Sequence, residues 1–379
     1  MKYDKLVTNK KIFYNKQKNF GGIMKKLCWI LVFGIIIMSG LSAYACFGRH
    51  KGINKGKTRA ASEFEILPTM DTESNAKNTV WVGTFQLIWN DLMDEIIHNP
   101  VEFAGEKSVM AGLLNKKSFM TNDLNESSYY KKLGLASYEL KKEIEQGIKS
   151  KFNEKSDILD KFNWAPAKGK YILYAMLKKD FEYIKTFDKL EDGEFVGSKG
   201  LVKYFGIDRN SRQELRHTVK VLFYNGDDDY AVALTSKQGD IVYLYRTDDK
   251  NTFDKLYEGM MKKAESYMGI RSFGKKDELK IPLLDFKKER EFKELCNKPI
   301  KNSDYMIMKA LETVQFKMTE AGVKLKSEAG MMVALTCAPS FRDEPRYFYF
   351  NNRYVIFLQE KDKPYFAMKI EDAKTLQGK

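Results

Sequence analysis

The strongest constraint on the fold lies toward the C-terminus, where apolar residues recur with a period of two. Val314, Phe316 and Met318 alternate with Gln315, Lys317 and Thr319, the pattern of a strand with one wet face. After Pro345 come apolar runs over 347–350, 354–358 and 365–370, joined by an Asn351-Asn352 turn and a charged turn through Asp362 and Pro364. Runs of this length between turn residues make antiparallel strands.

Upstream the period changes to that of a helix. Phe85, Ile88, Trp89, Leu92, Met93, Ile96 and Ile97 form one apolar stripe on a predicted helix of about 14 residues. Leu140, Ile144, Ile148 and Phe152 mark a second, and Phe253, Leu256, Met260, Ala264 and Tyr267 a third. Strand-like runs lie at 171–177, 218–224, 230–234, 241–245 and 279–286. Helices gathered early and antiparallel strands late predict an α+β fold, helices packed on mainly antiparallel sheets.

The net charge of +14 suggests a nucleic-acid binder until it is located. Seven of those charges fall in residues 1–45 and five in 46–60, so the body from 61 onward carries only +2. Such a body lacks the phosphate-binding electrostatics on which nucleic-acid affinity rests, and none is expected as a partner. With 43% hydrophobic residues the chain is too apolar for disorder.

The basic N-terminal part has its own grammar. An apolar segment at 27–38 follows Lys25-Lys26 and precedes Ala43-Tyr44-Ala45, ahead of Cys46. That is the plan of a secretory signal over 24–45, and the segment is short for a membrane span, which needs about 20 residues. Residues 1–23 do not fit the plan; Phe20-Gly-Gly-Ile-Met24 reads as a bacterial ribosome-binding site translated ahead of a true start at Met24. The residues through 45 are therefore expected to be a removed leader, 46–78 a polar basic tether, and 79–379 one domain. A secreted protein is expected, with Cys46 a candidate lipid anchor to the cell envelope. Membrane contact would come only through that anchor and the tether. Cys296 and Cys337 could pair.

Chemical motifs are sparse. The stretch 269–276 is one residue short of a phosphate loop, has Lys276 where a magnesium-binding hydroxyl belongs, and follows a helix rather than a strand. Glu95 and His98 share a helical face, but the chain has three histidines in all, too few for a carboxylate-bridged metal site. Asp227-Asp228-Asp229 lacks the spaced ligands of a calcium loop. No catalytic residue, metal or cofactor is expected, and the chain is not expected to be an enzyme.

From about 218 to 370 the order of these pieces resembles that of serpins. Val219–Tyr224, Gly226 and 230–234 resemble a strand pair that precedes a surface helix, here 253–267. Leu279-Lys-Ile-Pro282-Leu-Leu-Asp-Phe286 followed by Phe292-Lys-Glu-Leu295 is similar to the next strand and helix. Lys309-Ala310 with Val314-Gln-Phe-Lys-Met-Thr-Glu320-Ala-Gly322 resembles the strand that enters the family's loop hinge, where Glu-x-Gly is characteristic. Residues 349–355 and 364–370 resemble the closing strands, while 173–187 match more loosely.

The resemblance implies a serpin-like domain with an exposed reactive-centre-type loop over 323–341, cleaved as bait and inserted as a new strand into the main sheet. It implies a hinge at Glu320, Gly322, Val323, Leu325 and Ser327, a scissile region around Leu335, Thr336 and Cys337, and a monomer. The partner would be a serine or cysteine protease, or, in a non-inhibitory member, an envelope protein. Val323, Leu325, Ser327 and Ala329 alternate with Lys324, Lys326 and Glu328, so an inserted strand would turn its apolar and small residues one way and its charges the other. Leu325 stands where a methyl is usual, at an overpacking cost of about 1–3 kcal/mol. The chain also departs from the family at Tyr174 (Asn), Glu312 (commonly His), Arg353 (Pro) and Met368 (Gly).

Overall fold

The computed structural model describes residues 62–105, 107–325 and 344–378. In chain order these form β1 (Phe64–Leu67), β2 (Asn78–Val82), α1 (Thr84–Asp91) with a π-turn extension (Leu92–Ile97), α2 (Val109–Leu114) and β3 (Tyr129–Leu135). Then come α3 (Tyr138–Phe152), β4 (Tyr171–Leu177), β5 (Lys179–Glu182), β6 (Asp188–Gly193), β7 (Val202–Ile207) and α4 (Gln213–Arg216). The second half holds β8 (Val219–Tyr224), β9 (Tyr230–Thr235), β10 (Ile241–Arg246), α5 (Phe253–Ser266), β11 (Glu278–Pro282) and β12 (Leu284–Glu291). It closes with β13 (Leu311–Met318), β14 (Gly322–Leu325), β15 (Tyr347–Tyr349), β16 (Tyr354–Gln359) and β17 (Pro364–Ile370).

One sheet of seven strands, ordered β1-β2-β17-β16-β10-β9-β8, makes the centre. Its pairings are antiparallel except β1 with β2. Every residue of β17 is buried, and all but the last of β16, which is why their sequences are apolar without alternation. Two further sheets have the orders β15-β11-β7-β6 and β12-β13-β14-β5, and β3 pairs with β4 alone. The fold is α+β.

Helix α3 shows how sequence places an element. Ser137 caps its N-terminus by accepting from the Leu140 N–H at 3.0 Å, and Asn153 ends it in the left-handed region at φ 53°. Between them Leu140, Ile144, Ile148 and Phe152 make a buried stripe. The first three join Ile172 and Tyr174 of β4, with Leu159 and Trp164, in a small second core on one face of the β3–β4 pair. On the other face α1 packs beneath β4. The stripe through Ile97 is one continuous helical stretch, regular to Asp91 and π-type from Leu92, ended by left-handed His98.

Three expectations are corrected. The tether does not extend to 78: Phe64–Leu67 is an edge strand of the central sheet with Ile66 and Leu67 buried, because the apolar residues of FEIL find a partner edge on β2. The domain therefore begins before 79. The run 279–286 is not one strand. Beside Leu283 the chain leaves one sheet and joins another, β11 pairing with β7 and β12 with β13, since Pro282 offers no N–H to continue a ladder. The loop does not begin at 323, as the next section describes.

Candidate functional site

Four of the residues expected to form a hinge, Glu320, Gly322, Val323 and Leu325, lie together after β13. The chain reverses over 319–321, with the Thr319 N–H donating to Gly322 O at 3.0 Å, and returns as β14. This strand is laddered on both sides. Lys317 faces Lys324 and Met318 faces Val323 across β13, while Gly322, Val323, Lys324 and Leu325 face Glu182, Phe181, Asp180 and Lys179 of β5. Glu320 is tied in by its carbonyl, which accepts from the Phe187 N–H at 2.9 Å, and by an ion pair with Lys189 at 3.3 Å.

Val323 and Leu325 point into the core and Lys324 points outward, where it lies 3.5 Å from Asp180. The alternation read from the sequence holds through Leu325. These residues are thus sheet rather than exposed loop, because two apolar side chains fill the space between β13 and β5. Gly322 is required by proximity: a Cβ there would fall on the Phe181 carbonyl oxygen and the Glu182 Cα.

Among the described residues no strand joins β4 to the first half of β13, and between them lies a cavity of about 620 Å³. Residues of β4 and β13 form its walls, α1 its floor through Phe85, Ile88 and Trp89, and Leu325 closes its upper end. Residues 156–158, 161–163 and 168–170 line it from the α3 side. A row of β4 backbone groups faces this gap, a strand edge of the kind that accepts another strand.

One ionisable group is buried in the gap. Glu312 on β13 is 4% exposed; its Oε1 accepts from Thr84 Oγ1 at 2.7 Å, and its Oε2 has no hydrogen-bond partner among the described residues. Burial pushes its pKa up to about 8, against the pull of Thr84, the Phe85 backbone and Arg290. Arg290 is its register partner on β12 but bonds Glu65 and Ile66 O instead. Across the gap Tyr174 is buried on the α3 side, and desolvation raises its hydroxyl to about 12.

The upper wall is anchored by a charge cluster the sequence did not reveal. Lys179, opposite Leu325, is fully buried, with Nζ 2.9 Å from Asp240 Oδ1 and 2.6 Å from Glu360 Oε1. Tyr365 donates to Asp240 at 2.8 Å, and Asn125 donates to both Glu360 oxygens, at 2.9 and 2.6 Å. A lysine inside a lysine-rich sequence gives no sign of burial. Glu312 could have been found: it is the one carboxylate on the inward face shared by Val314, Phe316 and Met318.

The other residues singled out are surface features or lie elsewhere. His98 is exposed with Nδ1 2.8 Å from Asp94 O, and the Asp227–Asp229 turn links β8 to β9 through bonds to Tyr224, Arg246 and Lys263. Among the described residues no group of three or more His, Cys, Asp or Glu could hold a metal ion, and no helix is long and apolar enough to cross a membrane. Cys296 is free and buried. Ser327, Leu335, Thr336, Cys337, Cys46 and the whole leader lie outside the described residues.

No protein-family model and no curated protein matches the sequence. Among solved structures the chain is similar to Serpin48 of the insect Tenebrio molitor, at 13% identity over 65% of this chain and 77% of that one, with a TM-score of 0.37. It is similar to thyroxine-binding globulin in complex with thyroxine, at 9% identity over 65% and 77%, TM-score 0.40. It is also similar to maspin, at 10% identity over 64% and 76%, TM-score 0.44.

Proposed function

We propose that this chain is a serpin-like protein that acts outside the cytoplasm, where the segment after Leu325 serves as protease bait and, once cut, enters the gap beside β13 as a strand. The outcome is inhibition of a serine or cysteine protease. The observation that carries this reading is β14, four residues already seated between β13 and β5 at the head of a slot that no other described strand fills.

The register supports it. Continued downward, the pairing puts Ser327 opposite Val314 and Leu177, and Ala329 opposite Glu312 and Ala175. Both would turn inward with Val323 and Leu325, and the methyl of Ala329 is small enough to leave the Glu312–Thr84 pair in place. Leu325, the residue expected to overpack, is accommodated at the mouth of the cavity. The leader motifs support export, and Cys46 is proposed as a lipid anchor to the cell envelope.

A second reading, a non-inhibitory binding protein of the envelope, is favoured by what covers the slot. Residues 156–158 and 161–163 lie over it on the α3 side, and Lys326 and Glu328 would have to pass beneath them, which would slow insertion. Trapping requires insertion faster than deacylation of the protease.

Cleaving the chain between Leu325 and Glu344 with a panel of proteases tests this. A complex with a serine or cysteine protease that survives denaturing gel electrophoresis supports inhibition. A rise in melting temperature on cleavage without a complex supports insertion in a binding protein. No rise would overturn strand insertion altogether.

A further inference from the structure

A second, smaller cavity of about 120 Å³ opens at the N-terminus of α5, against the end of β17 and the start of β16. It is far below the roughly 300–1,000 Å³ of a site for a drug-sized ligand. Its chemistry is cationic: Lys250, Arg353 and Lys369 line it against the single carboxylate of Glu371.

Two of those cations are buried. Arg353 is 7% exposed; Nε lies 3.0 Å from Glu371 Oε1, and Nη1 has no hydrogen-bond partner among the described residues. Lys369 is 9% exposed, donates to Ala76 O at 2.7 Å and shares the same Glu371 oxygen at 3.3 Å. One carboxylate thus serves two buried cations, and a guanidinium N–H stays unsatisfied where water is scarce, a costly arrangement. Burial lowers the pKa of both; Arg246 lowers that of Arg353 further, and Arg353 and Lys250 that of Lys369.

Asp248 and Asp249 reach Arg353 through their charge, but their hydrogen bonds go elsewhere. Asp248 accepts from Arg246 at 2.7 Å, and Asp249 accepts from the Asn251 backbone and side chain at 3.1 and 2.6 Å. Lys250 is exposed at the rim. The fourth wall is the start of α5, a 14-residue helix whose N-cap Thr252 makes no side-chain capping bond and itself lines the cavity. Helix N-termini favour anions through oriented N–H groups and the macrodipole.

We propose that this cavity is an oxyanion site that binds a phosphate group, either inorganic phosphate or the phosphate of a small monoester. Arg353 supplies the fork that matches phosphate oxygens, Lys369 and Lys250 the remaining charge, and the α5 macrodipole adds to it although its Asp254 N–H is held by Met70 O. Arg353 stands where the serpin pattern has proline, so this guanidinium belongs to this chain's own chemistry. The site does not depend on the loop's behaviour.

The test titrates the full chain with inorganic phosphate and separately with glycerol 3-phosphate, each against sodium chloride at matched ionic strength, by calorimetry and melting temperature. The expected result is saturable binding of at least one of them and a rise in melting temperature that chloride does not reproduce. Tighter binding of the free ion or of the monoester identifies the source. Arg353→Lys should weaken binding about tenfold, and Lys250→Ala, at an exposed position that leaves the fold intact, severalfold. No saturable binding of either probe, or binding that Lys250→Ala and Arg353→Lys leave unchanged, would overturn the proposal.

Discussion

Thr84 donates a 2.7 Å hydrogen bond to Glu312, joining the first turn of α1 to β13 where β12 flanks one edge and no described strand flanks the other. The bond satisfies one oxygen of a buried carboxyl and leaves the other bare, so the protonated form is preferred.

A pH dependence follows. The folded-state pKa of Glu312, about 8, lies above its ordinary 4.5, so the folded protein holds a proton the unfolded chain releases. The resulting stability is fully present below pH 4.5 and is lost as pH rises through 8. Glu312→Gln keeps the shape without the charge. Urea unfolding should show the variant more stable than the parent at pH 9, by on the order of a few kcal/mol, and nearly equal at pH 5. Parallel curves at both pH values would refute this.

Gly322→Ala should expel β14 from the sheet. The added methyl meets backbone atoms of Phe181 and Glu182, which cannot swing away as a flexible side chain would. A loss of about 1–3 kcal/mol is expected. Hydrogen exchange should localise the damage, with amides of Val323, Leu325 and β5 deprotected while β16 and β17 keep their protection.

Lys179→Met tests the buried charge cluster. Removing the cation strands Asp240 and Glu360, both buried beside it, and breaking one side of a buried pair costs about 3–5 kcal/mol. Adding Glu360→Gln should recover part of the loss in melting temperature. No recovery would mean that Lys179 acts through packing alone.

Cys296 should be slow to react. It is 8% exposed with Sγ 3.4 Å from Phe292 O, and burial raises its thiol pKa, so the reactive thiolate is scarce. A thiol reagent should label it at the rate of global unfolding in native buffer and at once in denaturant. Rapid native labelling at this position would contradict the burial.

What could be read from the sequence depended on whether an element's environment is written into its own residues. The strands β16 and β17 were legible because burial on both faces demands unbroken apolar runs, and α3 because Leu140, Ile144, Ile148 and Phe152 repeat at one spacing. Elements whose place is decided by their neighbours were not. The charged DKLEDG of β6 is a strand only because β7 offers it an edge, and YYKKLGL of β3 only because β4 does. The apolar run of 279–286 was visible, but its division between two sheets was not. Glu320, Gly322, Val323 and Leu325 stood out in the sequence through the Glu-x-Gly spacing and the alternation after it. The cavity below them exists only through the separation of β4 from β13, which no local pattern encodes.

The short strand β14 changes the kinetics of any lengthening of this sheet. Joining a new strand is slow chiefly because the chain must first close a loop and forfeit its freedom before any ladder rewards it. Here the reversal over 319–321 is made, with four residues laddered on β5 and two of them on β13, so the proposed insertion would start like a zip fastener already engaged. The remaining barrier to the proposed insertion would lie in carrying Lys326 and Glu328 beneath the residues that line the gap on the α3 side.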